Sequence, residues 1–212
     1  MIVLVLDTCL AACSAAVSRD GEVLAWISEP MTRGHQERLA SMVGEVMTQA
    51  GVAFADLDRI GVTVGPGSFT GLRVGLAFAK GLALALDRPC VGVGTLAALG
   101  GELPGEPAVA AAIDAGRGRL YLQLFSQGAT VSGPDSLELD VVLARLAEVC
   151  PSGDIRVTGP GAERLLEALP RARRYDAASP DPRIVARLAT AADLVPPRPL
   201  YLRAPDAKVK GT

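Results

Sequence analysis

The sequence predicts an α/β protein built from two halves. Its first hundred residues alternate between short β-branched runs and longer segments with helical spacing, in the order β-β-β-α-β-α-β-α. A Gly- and Pro-rich stretch, 100–107, then precedes a second series of strands and helices. Half of the 212 residues are hydrophobic and only 4% are aromatic, so the core must consist mainly of Ala, Val and Leu. We therefore expect one half at 1–103 and a smaller one at 104–212.

Three strands are predicted at the start of the chain. Ile2 to Leu6 has the continuous apolar pattern of a strand buried on both faces, and it ends at Asp7. Ser14 to Val17 and Glu22 to Ile27 follow, separated by a segment that contains Asp20-Gly21. An Asp-Gly pair between two such runs is typical of a β-hairpin.

Two long helices come next. Arg33 to Ala50 has apolar residues spaced by three and four, with Thr32 as a candidate N-cap and Gly51 as the stop. The second helix follows the turn Gly65-Pro66-Gly67 and runs to Leu86. These are the two longest helical segments that the sequence predicts.

Shorter elements complete the first half. Strands are predicted at Arg59 to Val64 and Cys90 to Val93, and a third helix at Thr95 to Gly100. Three strands joined by a hairpin, followed by alternating helices and strands, is the order of a ribonuclease-H-like half-domain.

The second half begins with two strands, 108–114 and 120–125, around Gly116-Arg117-Gly118. A last helix is expected between the proline clusters of 179–199, and the pattern leaves open which half it joins. The other predicted elements are a helix at 141–149, a strand at 155–158 and a helix at 162–169.

Composition excludes several classes of protein. A net charge of −2 argues against a protein that holds nucleic acid by its overall field, and the local basic run 171–174 is interpreted as a solvated loop. The four cysteines form no C-x-x-C pair, so neither a zinc site nor a disulfide framework is expected. No Lys or Arg precedes the apolar start, and no run reaches the roughly 20 apolar residues of a membrane span. We expect a cytoplasmic protein.

The glycine turn lacks the residues that phosphate chemistry requires. The P-loop pattern needs Lys after its last Gly, but Leu72 follows Gly71. Thr70 stands where the dinucleotide fingerprint has its third Gly. Free N–H groups at the helix start attract an anion by only about 0.3–1 kcal/mol. A structural turn is therefore favoured, and phosphate binding is the alternative.

The helix after the turn carries a stripe of minimal side chains. Gly71, Gly75, Ala79 and Ala83 recur every four residues. Glycine inside a helix costs roughly 1 kcal/mol relative to Ala, which is tolerated where another backbone comes close. That backbone belongs either to the chain's own sheet or to a partner. Because the helix is apolar almost all round, we favour a partner helix from another chain. Gly75→Leu should then block association and leave the fold largely intact.

No complete catalytic constellation is recognisable. The G-x-S-x-G elbow is absent, and the single histidine, His35, has no acid or cysteine at metal-ligand spacing. Asp7, Ser14 and Asp114 stand at or beside predicted strand ends and are weak candidates for a nucleotide cleft. The alternatives that remain are an ATP-binding kinase-like or glycoprotease-like enzyme and a self-associating regulatory homodimer.

Five segments, in order over nearly the whole chain, resemble the TsaB (YeaZ) family. They are VLDTCLAACSAAV, RGHQERLASMV, VGPGSFTGLRVGLAFAKGLA, DAGRGRLYLQLF and YLRAPDAK. The resemblance implies the actin-like and sugar-kinase-like ATPase superfold, with two ribonuclease-H-like halves that each contain a mixed sheet and flanking helices. It also implies a non-catalytic role in making threonylcarbamoyladenosine on tRNA. One departure is Gly116, which stands where relatives usually carry Arg.

The resemblance extends to TsaD, the catalytic paralogue once described as a glycoprotease. There the motif G-V-N-H-x-x-x-H supplies two metal-binding histidines, whereas this chain has GVGTLAAL. Thr95 and Leu99 occupy the two histidine positions. The likeness therefore implies neither metal nor transferase or peptidase activity in this chain.

The resemblance also implies partners. The two long helices would pack on those of a TsaD-type subunit as a four-helix bundle, a TsaE-type ATPase would join, and the isolated chain would form a homodimer. ATP and the metal are expected in the partner subunits and no cofactor in this one, with tRNA contacted only indirectly and no membrane involved. The expected interface residues are His35, Arg38, Leu39, Met42, Val46, Phe69, Leu72, Arg73, Gly75, Leu76, Ala79 and Lys80.

Overall fold

The computed structural model describes residues 1–203 and contains two β-sheets. The first has the strand order β3-β2-β1-β4-β5, with β1 antiparallel to β2 and parallel to β4. Its strands are β1 (Ile2–Asp7), β2 (Ala12–Arg19), β3 (Glu22–Pro30), β4 (Arg59–Thr63) and β5 (Cys90–Val93). The predicted hairpin is confirmed: Asp20 and Gly21 both have positive φ, at 51° and 88°.

Helices cover both faces of this sheet. Helix α1 (His35–Ala50) and helix α2 (Phe69–Leu86) lie on one face, and helix α6 (Pro182–Ala191) lies on the other. Both long helices were predicted almost to their ends. The N-cap of α1 is Gly34 with a positive φ of 84°, however, so the prediction of Thr32 was wrong.

The second sheet is mixed and has the order β11-β10-β6-β7-β8, with β9 paired to β7. Helices α4 (Leu139–Val149) and α5 (Ala162–Leu166) pack against it. Its strands are β6 (Val109–Gly116), β7 (Arg119–Ser126), β8 (Ala129–Thr130), β9 (Asp135–Glu138), β10 (Arg156–Thr158) and β11 (Arg173–Tyr175). The basic run 171–174 is thus not a plain loop, because Arg173 and Arg174 pair in parallel with β10.

The two sheets are joined through helix α3 (Thr95–Gly100). Its Leu96 and Leu99 pack against Val109 and Phe125 of the second sheet. Although α6 follows the second sheet along the chain, it packs on the first. There the guanidinium of Arg59 donates to carbonyl oxygens at the end of α6, at 2.7–3.1 Å.

Among the described helices, α2 is long enough and apolar enough to cross a membrane, judged by length and composition alone. Its small-residue stripe is buried against the first sheet and the β1–β2 loop, as in a core helix. The packing therefore accounts for the apolar character of this face of α2.

Candidate functional site

The glycine turn before α2 closes directly onto the loop that follows β1. The Ser68 amide donates to the Cys9 carbonyl oxygen at 2.7 Å, and the Thr8 hydroxyl donates to the Gly71 carbonyl oxygen at 2.7 Å. A Cβ atom on Gly67 would lie 2.2 Å from the Cys9 oxygen. Two backbones approach so closely here that only glycine fits.

This contact also bears on the phosphate alternative. A Cβ atom on Gly71 would lie 2.0 Å from the Thr8 carbonyl oxygen. Carbonyl oxygens carry partial negative charge and repel an anion. Because the carbonyl oxygens of Thr8 and Cys9 face the first turn of α2, the geometry favours the structural interpretation of the turn.

Asp7 and Ser14 lie opposite each other on β1 and β2 and are buried, at 1% and 0% exposure. Oδ1 of Asp7 accepts from the Thr63 hydroxyl at 2.5 Å and from the Cys9 amide at 3.0 Å. Within residues 1–203, Oδ2 of Asp7 and the Ser14 hydroxyl have no hydrogen-bond partner. Burial raises the pKa of the Asp7 carboxyl, although the Thr63 hydroxyl bond, the Cys9 amide and the charge of His35 oppose the rise.

Asp114 belongs to the second sheet and does not join them. Its half-exposed carboxylate accepts from the Gly116 amide at 2.7 Å and lies 3.9 Å from Arg164. A nucleotide arriving from solvent cannot touch Asp7 or Ser14 as the chain is folded. The structure therefore does not bring Asp7, Ser14 and Asp114, the weak candidates for a nucleotide cleft, together at one accessible site.

Most of the predicted interface is also internal. Gly75 faces the first sheet, where a Cβ atom would lie 2.5 Å from the Thr8 hydroxyl oxygen and 3.5 Å from Val62. The glycine stripe thus permits close packing, but against the chain's own β1–β2 loop. Eight of the predicted interface residues are buried in the chain, so their assignment to a partner surface is corrected. They are His35, Leu39, Met42, Val46, Leu72, Gly75, Leu76 and Ala79.

The other four predicted interface residues reach the surface. Arg38 is held by two carboxylates, at 2.5 Å from Glu29 and 2.6 Å from Glu45, so its charge is already neutralised. Phe69 and Arg73 lie at the start of α2, and Lys80 lies near its middle. Their role in a partner interface stays a prediction.

The outward face of α2 has a different composition from the predicted one. Leu84 is 85% exposed, and Ala77, Gly81 and Ala85 are exposed around it. Sequence reasoning missed these four residues. The signal was present: if the smallest residues face the sheet, the residues half a turn away must face outward.

A cleft of about 510 Å³ opens at the N-terminal end of α2. The guanidinium carbon of Arg73 lies 3.6 Å from the centre of the Phe69 ring, and its Nε donates to the Tyr201 hydroxyl at 3.3 Å. The rings of Phe69 and Tyr201 are 5.8 Å apart and tilted by 37°. The cleft lining comprises Pro66, Gly67, Phe69, Leu72, Arg73, Tyr121, Leu200, Tyr201, Leu202 and Arg203. We call this the aromatic cleft.

The end of the described chain forms one wall of this cleft. The Leu200 amide donates to the Val64 carbonyl oxygen at 2.7 Å, beside the first sheet. Arg203 donates to the Ala115 carbonyl oxygen at 3.0 Å, on the second sheet. No site was predicted in the YLRAPDAK segment, and its residues 204–208 lie outside the described part.

Comparison with known proteins decides the family. Residues 27–143 match the family model of TsaD, the tRNA N6-adenosine threonylcarbamoyltransferase. The Escherichia coli tRNA threonylcarbamoyladenosine biosynthesis protein TsaB is 40% identical over 124 residues, which are 57% of this chain and 53% of that protein. YeaZ from Pseudomonas aeruginosa is 30% identical, and the match covers 95% of this chain and 99% of that one with a TM-score of 0.79. The chain belongs to the TsaB (YeaZ) family.

The predicted superfold is confirmed as well. The activator of the 2-hydroxyisocaproyl-CoA dehydratase from Clostridium difficile, solved with bound ADPNP, matches 89% of this chain with a TM-score of 0.50. At 11% identity, this likeness concerns the fold alone. The two mixed sheets with flanking helices are those of the actin-like ATPases.

In this TsaB-family chain, the two positions at which the resemblance to TsaD predicts histidines are internal. Thr95 and Leu99 of α3 are both fully buried. Among residues 1–203, no three His, Cys, Asp or Glu side chains are grouped so that they could hold a metal ion. Neither Thr95 nor Leu99 supplies an imidazole ligand of the kind that the motif provides.

Proposed function

We propose that this chain takes part in tRNA threonylcarbamoyladenosine biosynthesis as a non-catalytic subunit that binds a TsaD-type transferase through the outward face of α2. Involvement in this pathway is supported by membership of the family that includes E. coli TsaB. The binding role rests on one observation, which is that the exposed residues of α2 from Ala77 to Ala85 are apolar except for Lys80.

The outward face suits a helical partner. Ala77, Gly81 and Ala85 are small, so another helix can approach closely along them. Leu84 extends from this surface with 85% of its area exposed. Burying such a side chain contributes about 1.5–3 kcal/mol, which is enough to make it an anchor of the interface.

The chain's own residues support a role without chemistry. Asp7 and Ser14 are buried in the chain, and Thr95 and Leu99 stand at the positions of the paralogue's histidines. We propose that ATP and the metal are bound by the partner subunits, that a TsaE-type ATPase joins through the complex, and that this takes place in the cytoplasm. In isolation, the same face of α2 would close on a second copy.

A direct test is the affinity of the full-length chain for the TsaD-type subunit. Leu84→Glu places a charge on the apolar face and should weaken binding at least tenfold, because the carboxylate loses its hydration in the interface. Val131→Glu is the matched control, since Val131 is an exposed apolar residue of the second half, away from α2. Equal affinity of Leu84→Glu and the parent chain would refute the assigned face.

The stand-alone enzyme makes the opposite prediction about the isolated chain. A kinase-like protein should bind ATP with magnesium tightly and release heat on titration. Calorimetry that shows no tight ATP–magnesium binding dependent on Asp7 would agree with the proposal, whereas tight binding lost in Asp7→Asn would contradict it.

A further inference from the structure

We propose that the aromatic cleft is a binding site for a nucleotide unit, meaning a planar base with its attached phosphate. The unit would come either from a free mononucleotide or from a single strand of RNA. This inference goes beyond the proposed function and does not depend on it, because the site lies wholly within this chain.

The first observation is the exposure of two aromatic rings in a concave site. Phe69 is 51% exposed and Tyr201 is 48% exposed, and both line the aromatic cleft. Aromatic rings left open to solvent in a concave site offer flat surfaces on which a base can stack. The cleft volume of about 510 Å³ lies within the usual range of small-molecule sites.

The second observation is charge. The lining contains Arg73 and Arg203, and no carboxylate among the described lining residues. Arg38, Arg145 and Arg183 are all paired with carboxylates, whereas Arg73 has none within 4.0 Å in residues 1–203. Arg73 is instead oriented by the Phe69 ring and the Tyr201 hydroxyl, so its charge is positioned and still available to an anion.

The two exposed rings and the available guanidinium together indicate which kind of ligand fits the aromatic cleft. An acidic peptide would satisfy Arg73 but would leave the exposed areas of the Phe69 and Tyr201 rings uncovered. An aromatic side chain from another protein would cover a ring but supply no anion. A nucleotide unit carries both groups on one rigid framework, with the base a few ångströms from the phosphate, and therefore fits the site better than either.

The test measures binding by the isolated full-length chain. The mononucleotide arm uses adenosine 5′-monophosphate by calorimetry, with inorganic phosphate and adenosine each alone as controls. The RNA arm uses a fluorescently labelled single-stranded heptaribonucleotide by anisotropy at fixed salt. Binding of the mononucleotide identifies a free nucleotide as the source, and binding of the oligonucleotide alone identifies RNA.

Three substitutions separate the contributions. Tyr201→Leu and Phe69→Leu remove ring faces and should weaken binding about 5- to 150-fold each, and Arg73→Gln should weaken the phosphate-bearing probes more than adenosine. The matched controls are Phe54→Leu, an exposed ring elsewhere, and Arg173→Gln, in the basic strand β11. Neither control should change the affinity by more than about twofold.

Two outcomes would overturn the inference. One is that neither probe binds at millimolar concentration, and the other is that the control variants weaken binding as much as the cleft variants. If neither probe binds but Tyr201→Leu weakens association with the TsaD-type subunit, the cleft is a protein contact and the inference is wrong. Arg73 and Leu84 lie on the same side of α2 near its opposite ends. The Leu84 experiment is a separate readout because it measures affinity for the TsaD-type subunit, whereas the cleft experiment measures nucleotide binding by the isolated chain.

Discussion

The glycine stripe of α2 leads to a quantitative prediction about stability. In the structure, the stripe serves the chain's own packing, so adding a methyl group there should destabilise the fold before any partner is present. Gly71→Ala is the strongest test. Its Cβ atom would lie 2.0 Å from the Thr8 carbonyl oxygen, and that oxygen belongs to backbone, which cannot rotate away.

The expected size follows from three contributions. Replacing a helical Gly by Ala gains about 1 kcal/mol in helix propensity. Forcing a methyl group into a filled space costs about 1–3 kcal/mol. Separating α2 from the β1–β2 loop also weakens the bond from the Thr8 hydroxyl to the Gly71 oxygen, which contributes about 1 kcal/mol. The net loss in the free energy of unfolding is about 1–3 kcal/mol, or roughly 2–12 °C in Tm.

The same helix provides the control. Gly81 also lies inside α2, but a Cβ atom there would meet nothing within 4 Å in the described structure. Gly81→Ala should therefore show the propensity gain alone and raise Tm by about 2–4 °C. Urea and thermal unfolding followed by far-ultraviolet circular dichroism measure both variants. If Gly71→Ala is as stable as the parent chain, the stripe does not pack as described.

Three further predictions concern buried and half-buried side chains. Burial raises the pKa of Asp7 above its unfolded value of 3.8, so the folded chain holds this proton to higher pH. The free energy of unfolding should then fall as pH rises from about 4 through the folded pKa. In Asp7→Asn, urea titrations should no longer show this pH dependence. An identical dependence of the unfolding free energy on pH in the two proteins would contradict the raised pKa of Asp7. Burial raises the pKa of Cys13 and Cys90 to about 11, so iodoacetamide at pH 8 should modify both slowly until urea unfolds the chain, as read by mass spectrometry; prompt modification in the folded state would contradict it. Arg59→Met should lower the free energy of unfolding by about 1–3 kcal/mol, because carbonyls at the end of α6 lose their donor; unchanged urea unfolding would show that these bonds contribute nothing.

Local sequence patterns predicted the elements whose conformation depends on residues close by in the sequence. The Asp20-Gly21 hairpin and the limits of α1 and α2 depend on turn chemistry and helical spacing, which neighbouring residues determine. Strand β11 was missed because all three of its residues are exposed, so it has no alternation between buried and exposed positions.

Contacts between residues far apart in the sequence could not be predicted from local patterns. The close-packing argument for the stripe was sound, but the backbone it meets, at Thr8, lies more than sixty residues earlier in the chain. The aromatic cleft joins Phe69 to Tyr201, and α6 packs on a sheet whose strands end near residue 93. Which partner a buried or stacked residue meets depends on topology, and spacing along the sequence contains no information about it.

The central claim is that this chain supports a transferase through the outward face of α2 without performing chemistry itself. The most direct measurement is threonylcarbamoyladenosine formed on tRNA in a reconstituted reaction, with the parent chain, with Leu84→Glu, or with neither. The account predicts full product with the parent chain and strongly reduced product in the other two reactions. Undiminished product without the chain would contradict the account.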